Sequence, residues 1–486
     1  MCEQHGVETR GHYQALLLRF VYQQFLRFVY QQFPQQSHKI PYMFSKRTNW
    51  KLERNRFTQA VDEVRAAGVR LLDLTVSNPT RVGLKYDSRA VLAALGSPRA
   101  LDYDPQAKGL REAREAVAEY YRSDHGIRGL DAERIILTTS TSEGYSFVFR
   151  LLCNAGDELL VPKPSYPLFE FLADLQDVRL VPYPLIYEHG WQMDFPSLEK
   201  AVTPRTRGLV VVHPNNPTGS YVKPGERELL NAFCRAHGLA LIVDEVFLDY
   251  RLEACELETN SRSLHEPLDR QGPIQRPGRD DKAEEQMGAP SLPHSVRQRW
   301  GISPAHHPSF AGNHDVLTFT LSGLSKVSAL PQMKVAWVVT SGPQNEVAAA
   351  MARLEVIADT YLSMNAPIQW AVPVLLEQRR SIQKQLLERV ERNLAELDRQ
   401  LAGQKVCQRL KVEGGWYAVL RVPVTRSDED LAIELVREKQ VLVYPGHFYD
   451  FPSDGYLVVS LIAPEEEFGE GVGRVLKGLN TQDFAR

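Results

Sequence analysis

Apolar residues recur along this chain in two rhythms, and the rhythms alternate. Phe57, Val61 and Val64 are spaced as one face of a helix over residues 55–67. Leu110, Ala113, Val117, Tyr120 and Tyr121 mark a second helix over 110–121. Short, nearly unbroken apolar runs predict strands over 70–75, 135–138, 158–161, 179–181, 208–213, 240–244, 316–320 and 334–339. A helix is expected over 143–152. Apolar strands alternating with helices predict an α/β fold, with a mostly parallel sheet covered on both faces. In such sheets ligands bind just beyond the carboxyl ends of the strands.

From about residue 345 the pattern changes. Helices are predicted over 381–401, 429–439 and 465–479, with strands over 414–422, 441–444 and 456–461. This reads as a smaller α+β domain over 341–486, to which residues 43–86 are assigned as its N-terminal part. The large domain is expected over 87–340. Within it, residues 254–314 break the rhythm: they are rich in Pro, Gly, Arg, Asp and Glu and read as a polar surface insertion. Its charges nearly balance, which gives no support to electrostatic docking.

The first residues follow neither rhythm. Arg19-Phe-Val-Tyr-Gln-Gln-Phe25 recurs as Arg27-Phe-Val-Tyr-Gln-Gln-Phe33, a tandem repeat too short for a solenoid. Leu16-Leu-Leu18 precedes it without a small-residue cleavage site, so a signal peptide is not expected. Residues 1–42 are expected to lie outside the fold, with Met43 as a functional start.

Composition narrows the function classes. The chain has 486 residues, 43% hydrophobic and 24% charged, with a formal net charge of -3. That balance disfavours a nucleic-acid partner. No apolar run approaches the roughly 20 residues of a membrane helix. Five cysteines are scattered without CxxC spacing, which fits reduced thiols in a cytoplasmic protein and no zinc. His294, His306, His307 and His314 lie in the polar insertion without a helical framework, so no metal is expected there.

Three segments sit just past predicted strands. They are Pro214-Asn-Asn-Pro-Thr-Gly219, Leu241-Ile-Val-Asp244-Glu245 and Thr320-Leu-Ser-Gly-Leu-Ser-Lys326. Taken singly, the first is a turn, Asp244 a cap, and Lys326 a solvated charge. In this order they resemble the cofactor site of fold-type I pyridoxal-phosphate enzymes, the class I/II aminotransferase family. The resemblance covers residues 50–486 apart from the insertion. It implies a seven-stranded-type large-domain sheet, pyridoxal 5'-phosphate as cofactor, and a homodimer.

The resemblance also implies roles. Lys326 supplies the amine of the Schiff base, and Asp244 pairs with the pyridine nitrogen. Asn216 reaches the ring oxygen, and Tyr166 stacks on the ring. Ser140, Thr141 and Ser142 form a hydroxyl-rich turn at a helix N-terminus, where free N–H groups and the dipole attract phosphate. Ser325 and Lys334 are placed beside them, and Tyr103 reaches the phosphate of the neighbouring subunit.

Four positions depart from the family pattern. Lys334 replaces the usual phosphate-binding arginine, losing a bidentate fork. Gly323 stands for a serine, and Phe247 for a tyrosine that would bond the ring oxygen. Val458, in Leu457-Val-Val-Ser460, occupies the place of the arginine that holds a substrate carboxylate, with Arg421 or Arg81 as alternative cations. The expected reaction is transfer of an amino group between an amino acid or amine and a keto acid. A carbon–sulfur lyase, a decarboxylase and a non-catalytic cofactor-binding protein stay open as alternatives.

Overall fold

The computed structural model describes residues 44–50, 53–252 and 309–480. The tandem repeat and the polar stretch over 253–308, with His294, His306 and His307, lie outside the described residues.

Among the described residues, seven strands precede residue 253: β1 (Leu72–Asp73), β2 (Ile135–Thr138), β3 (Glu158–Lys163), β4 (Arg179–Tyr187), β5 (Trp191–Met193), β6 (Thr206–Val212) and β7 (Ala240–Asp244). Seven follow residue 308: β8 (Thr318–Gly323), β9 (Ala336–Ser341), β10 (Gln408–Arg409), β11 (Tyr417–Arg421), β12 (Val441–Leu442), β13 (Tyr444–Pro445) and β14 (Tyr456–Ser460). The large sheet runs β2-β9-β8-β7-β6-β3-β4-β5. Its centre, from β8 to β4, is parallel, and β9 and β5 run antiparallel to their neighbours. The seven strands from β2 to β4 make up the expected seven-stranded-type sheet, and an eighth is added at one edge. The extra one is β5, which turns back on the long strand β4 with Tyr187 opposite Trp191.

Side chains alternate across this sheet as its pleat requires. Leu209, Val211, Leu241 and Val243 enter one core, beside helix Pro224–His237. Val210, Ile242, Phe319 and Val338 enter another, under helices Thr141–Leu152, Leu168–Leu175 and Gln344–Tyr361. Burial on both faces is why the strands read as unbroken apolar runs.

A second, antiparallel sheet has the order β10-β11-β14-β13. The N-terminal segment lies against it: β1 and β12 form a separate two-stranded parallel sheet, and Ser460 N–H of β14 donates to Leu74 O at 2.7 Å. Helix Arg56–Ala66, capped by Asn55 on Thr58 N at 2.7 Å, places Phe57 edge-on against Phe448.

The polar insertion ends earlier than its composition implies. Ser309, Phe310, Ala311 and Asn313 are all buried rather than part of a surface segment reaching 314. Glu245, beside the strand-end aspartate, accepts from Phe310 N at 2.6 Å and Ser309 Oγ at 2.7 Å. Asn313 bonds Asn231 and Thr318. These partners are distant in sequence, so the return into the core leaves no apolar period.

Candidate active site

Register brings the three segments together. Val212, Asp244 and Leu321 are aligned neighbours on β6, β7 and β8. Thr138 at the end of β2 is opposite Ala336, which is itself opposite Gly323. The ends of β2, β6, β7 and β8 thus share one edge, from which Ser140, Asn216, Asp244 and Lys326 all emerge.

Lys326 is on a short helix, Leu324–Val327, rather than in an open turn. Its side chain is half-buried, and its backbone carbonyl accepts from Tyr250 OH at 2.6 Å. The amine stands 5.0 Å from the centre of the Trp416 ring and 5.6 Å from that of Phe247. Burial among these groups lowers its pKa to about 8, against the opposing pull of the Asp244 charge. Trp416, just before β11 of the second sheet, is not marked out by sequence. Its only signal is the small-residue pair Gly414-Gly415 before it.

Asp244 ends β7 with both oxygens engaged. Oδ1 accepts from Val246 N at 3.0 Å, and Oδ2 from the Tyr145 hydroxyl at 3.0 Å. Burial nevertheless raises its pKa to about 6; those two bonds and Lys326 oppose the rise. The same charge, after burial, pushes the Tyr166 phenol up to about 12, so Tyr166 lies within electrostatic reach of Asp244. Asn216 is buried, and its Oδ1 has no hydrogen-bond partner among the described residues.

Ser140 is the N-cap of helix Thr141–Leu152, with extended backbone and Oγ accepting from Glu143 N at 3.2 Å. Its own O–H stays available as a donor. Thr141 and Ser142 occupy the first turn, where backbone N–H groups have no partner within the helix. Gly144 lets this helix press on the sheet: a Cβ there would lie 2.9 Å from Val338 Cγ2. Ser325 is half-buried on the Lys326 helix. Lys334 is exposed and holds a left-handed backbone at φ 53°. Tyr103 is 84% exposed, on the surface of this chain rather than among its buried site residues.

The departures have structural counterparts. A Cβ on Gly323 would fall 2.8 Å from Val335 O and 2.9 Å from Ala336 Cα, both backbone atoms. The backbone there is extended, so close approach alone demands glycine. Gly323→Ser is expected to cost about 1–3 kcal/mol, read as a lower denaturation midpoint; wild-type stability would show that β8 and β9 yield freely. Phe247 is buried edge-on against Trp416 at 5.2 Å and serves as a wall. Val458 is fully buried opposite Val419 on β11, within the apolar core. Neither alternative cation replaces an arginine there by burial. Arg421 is exposed, its guanidinium 5.8 Å from the Tyr187 ring and 5.9 Å from that of Tyr456, and Arg81 is exposed on a short turn.

Residues 69–468 match the family model described as aminotransferase class I and II. The chain belongs to the class I and II aminotransferase family. This aminotransferase is 27% identical over 408 residues to the glutamate-pyruvate aminotransferase AlaA of Escherichia coli, covering 81% of this chain and 87% of that protein. It is 26% identical to an alanine aminotransferase of Mycobacterium tuberculosis, covering 82% and 83%. In fold it is similar to the alanine aminotransferase of Pyrococcus furiosus, with a TM-score of 0.72, 20% identity, and coverage of 88% and 96%. A Thermus thermophilus aspartate aminotransferase double mutant gives a TM-score of 0.68 at 22% identity, covering 90% and 99%. The protein is a pyridoxal-phosphate-dependent transaminase with the fold-type I architecture. Its substrates are amino and keto acids.

The residues present fit that cofactor. An orphaned amide oxygen on buried Asn216, a strand-end carboxylate, a partly desolvated amine and an open helix N-terminus form a complementary donor and acceptor set. No described helix is long and apolar enough to cross a membrane. Among the described residues no cluster of His, Cys, Asp or Glu could hold a metal ion.

Proposed function

We propose that Lys326 is the amine that carries the cofactor, and that Asp244, Asn216 and Tyr166 hold its ring while Ser140, Thr141, Ser142, Ser325 and Lys334 hold its phosphate. The observation carrying this reading is the alignment of Val212, Asp244 and Leu321, which gathers three separate motifs at one edge. When bound, pyridoxal phosphate supplies a carbonyl that takes the amino group and a ring that withdraws electron density from the substrate carbon.

The chain's own groups do the rest. Asp244 holds a proton at the ring nitrogen by its negative charge. Asn216 orients the ring through its amide, and Tyr166 lies against the ring face. Lys326, with its pKa lowered to about 8, is neutral in roughly one molecule in ten at pH 7, far more than an ordinary lysine. It would therefore take the proton from the substrate's α-carbon and hand it to the cofactor's 4′ carbon, with both transfers running backwards in the other half of the cycle. The Phe247 and Trp416 rings stand beside the amine and lower the polarity around it.

The proposed donors are alanine and glutamate, with pyruvate and 2-oxoglutarate as acceptors, a reading supported by the names of the curated relatives. The proposed working unit is a homodimer, in which exposed Tyr103 reaches the partner's phosphate. Free Cys153, Cys234 and Cys407 fit a cytoplasmic setting. The domain limits at 43, 87 and 341 are proposed on the same resemblance.

The test adds each amino acid to cofactor-loaded protein and follows the cofactor's absorbance. Conversion to the amino form, with one keto acid released and reversal by pyruvate, is the expected result. Release of carbon dioxide or a thiol without reversal by a keto acid would rule the transfer cycle out.

A further inference from the structure

We infer that Tyr145 is a positioning residue for amino transfer, acting on the cofactor's ring nitrogen through Asp244. The inference rests on the assignment of Asp244 to that nitrogen. The two Asp244 oxygens are bonded from different elements. Val246 N holds Oδ1 from the same chain segment, and the Tyr145 hydroxyl holds Oδ2 from helix Thr141–Leu152, each at 3.0 Å. Two donors on opposite oxygens fix the plane of the carboxylate, which neither could do alone.

The phenol suits this task. Tyr145 is 2% exposed, and its ring is set edge-on against Phe149 at 5.8 Å and Phe169 at 5.3 Å, which limits its rotation. Burial, reinforced by the Asp244 charge, pushes its pKa well above the ordinary value, so it stays a proton donor throughout the working range. It is also neutral. An arginine in its place would share the charge that Asp244 must direct at a protonated nitrogen; a phenol orients the carboxylate and leaves that charge in place.

The helix gives the contact further meaning. Ser140 caps the same helix that carries Tyr145, and Gly144 seats it closely on Val338 and Leu321. One rigid element therefore sets both the proposed phosphate cradle and the orientation of Asp244. The spacing between the two ends of the cofactor is built into a single helix.

The experiment measures equilibrium binding of pyridoxal phosphate and of its analogue with a C–H unit in place of the ring nitrogen. Tyr145→Phe is expected to weaken the natural cofactor about tenfold and the analogue less than about twofold. In an Asp244→Asn background the same substitution is expected to change neither. Equal weakening of both ligands would mark Tyr145 as packing only, and no weakening of either would leave it without a role; each overturns the inference. Should Tyr145→Phe not fold, site-specific 4-aminophenylalanine at position 145 serves instead, being nearly isosteric, neutral and a weaker donor. It is expected to lower the preference for the natural cofactor, and an unchanged or raised preference overturns the proposal. Asp244→Asn alone separates the two levels. If it keeps the wild-type preference, the assignment of Asp244 fails; if it abolishes the preference and Tyr145→Phe does not, only the present inference fails.

Discussion

Lys326→Ala is expected to slow amino transfer by at least about 10⁴-fold, because one side chain supplies both the covalent anchor and the proton carrier. Borohydride treatment of cofactor-loaded protein is expected to fix the cofactor at residue 326 in the wild type and nowhere in the variant. The fold is expected to survive, since the Tyr250 bond goes to the backbone carbonyl of residue 326 and not to its side chain. The cofactor-free proteins are also expected to differ in their response to pH. The unfolded lysine keeps its proton to about 10.5, whereas the folded one releases it near 8. The unfolded state therefore binds more protons between those values, and wild-type stability rises across that window. That rise is absent without the amine. A variant that retains the borohydride-fixed cofactor, or stays within about tenfold of wild-type rate, would remove Lys326 from the centre of the reaction.

Asp244→Asn should cost about 10²–10³-fold in the transfer half-reaction, the scale of losing one partner of a buried charge pair. Stopped-flow absorbance of the loaded protein is the measurement. An asparagine fits the space and can keep the Val246 and Tyr145 contacts, but it cannot balance a protonated ring nitrogen. Here too the cofactor-free protein provides a check that does not depend on turnover. The folded carboxyl holds its proton to about 6, against 3.8 for an ordinary aspartate, so the folded state binds more protons in that window. Wild-type stability accordingly falls as pH rises through it, and the Asn variant lacks this component of the fall. Near-wild-type rates in Asp244→Asn would falsify the role assigned to the carboxylate.

Much of the site is legible in the order of residues. The helix read over 143–152, the strands read over 135–138, 208–213 and 240–244, and the polar turns behind them lie within two residues of the observed elements, because near-neighbour patterns mark them. What is not legible depends on distant partners. Strand β5 is only three residues long and stands because β4 is there to pair with it. Residues 309–313 look polar and loop-like, yet Glu245 and Asn231 draw them into the core. Gly323 reads as the loss of a hydroxyl, whereas a close backbone approach leaves no room for one.

By itself the chain's order of residues determined the cofactor-site motifs, their sequence and the strand behind each. Those depend on local spacing, because period and turn chemistry report which face of an element is buried and where it stops. Tertiary structure alone decided which side chains meet. The Tyr145 hydroxyl finds Asp244 across 99 residues, and Trp416 closes over Lys326 from another sheet. No periodicity encodes such pairs. They follow from strand register and from how closely a glycine lets a helix approach, and both are properties of the packed whole.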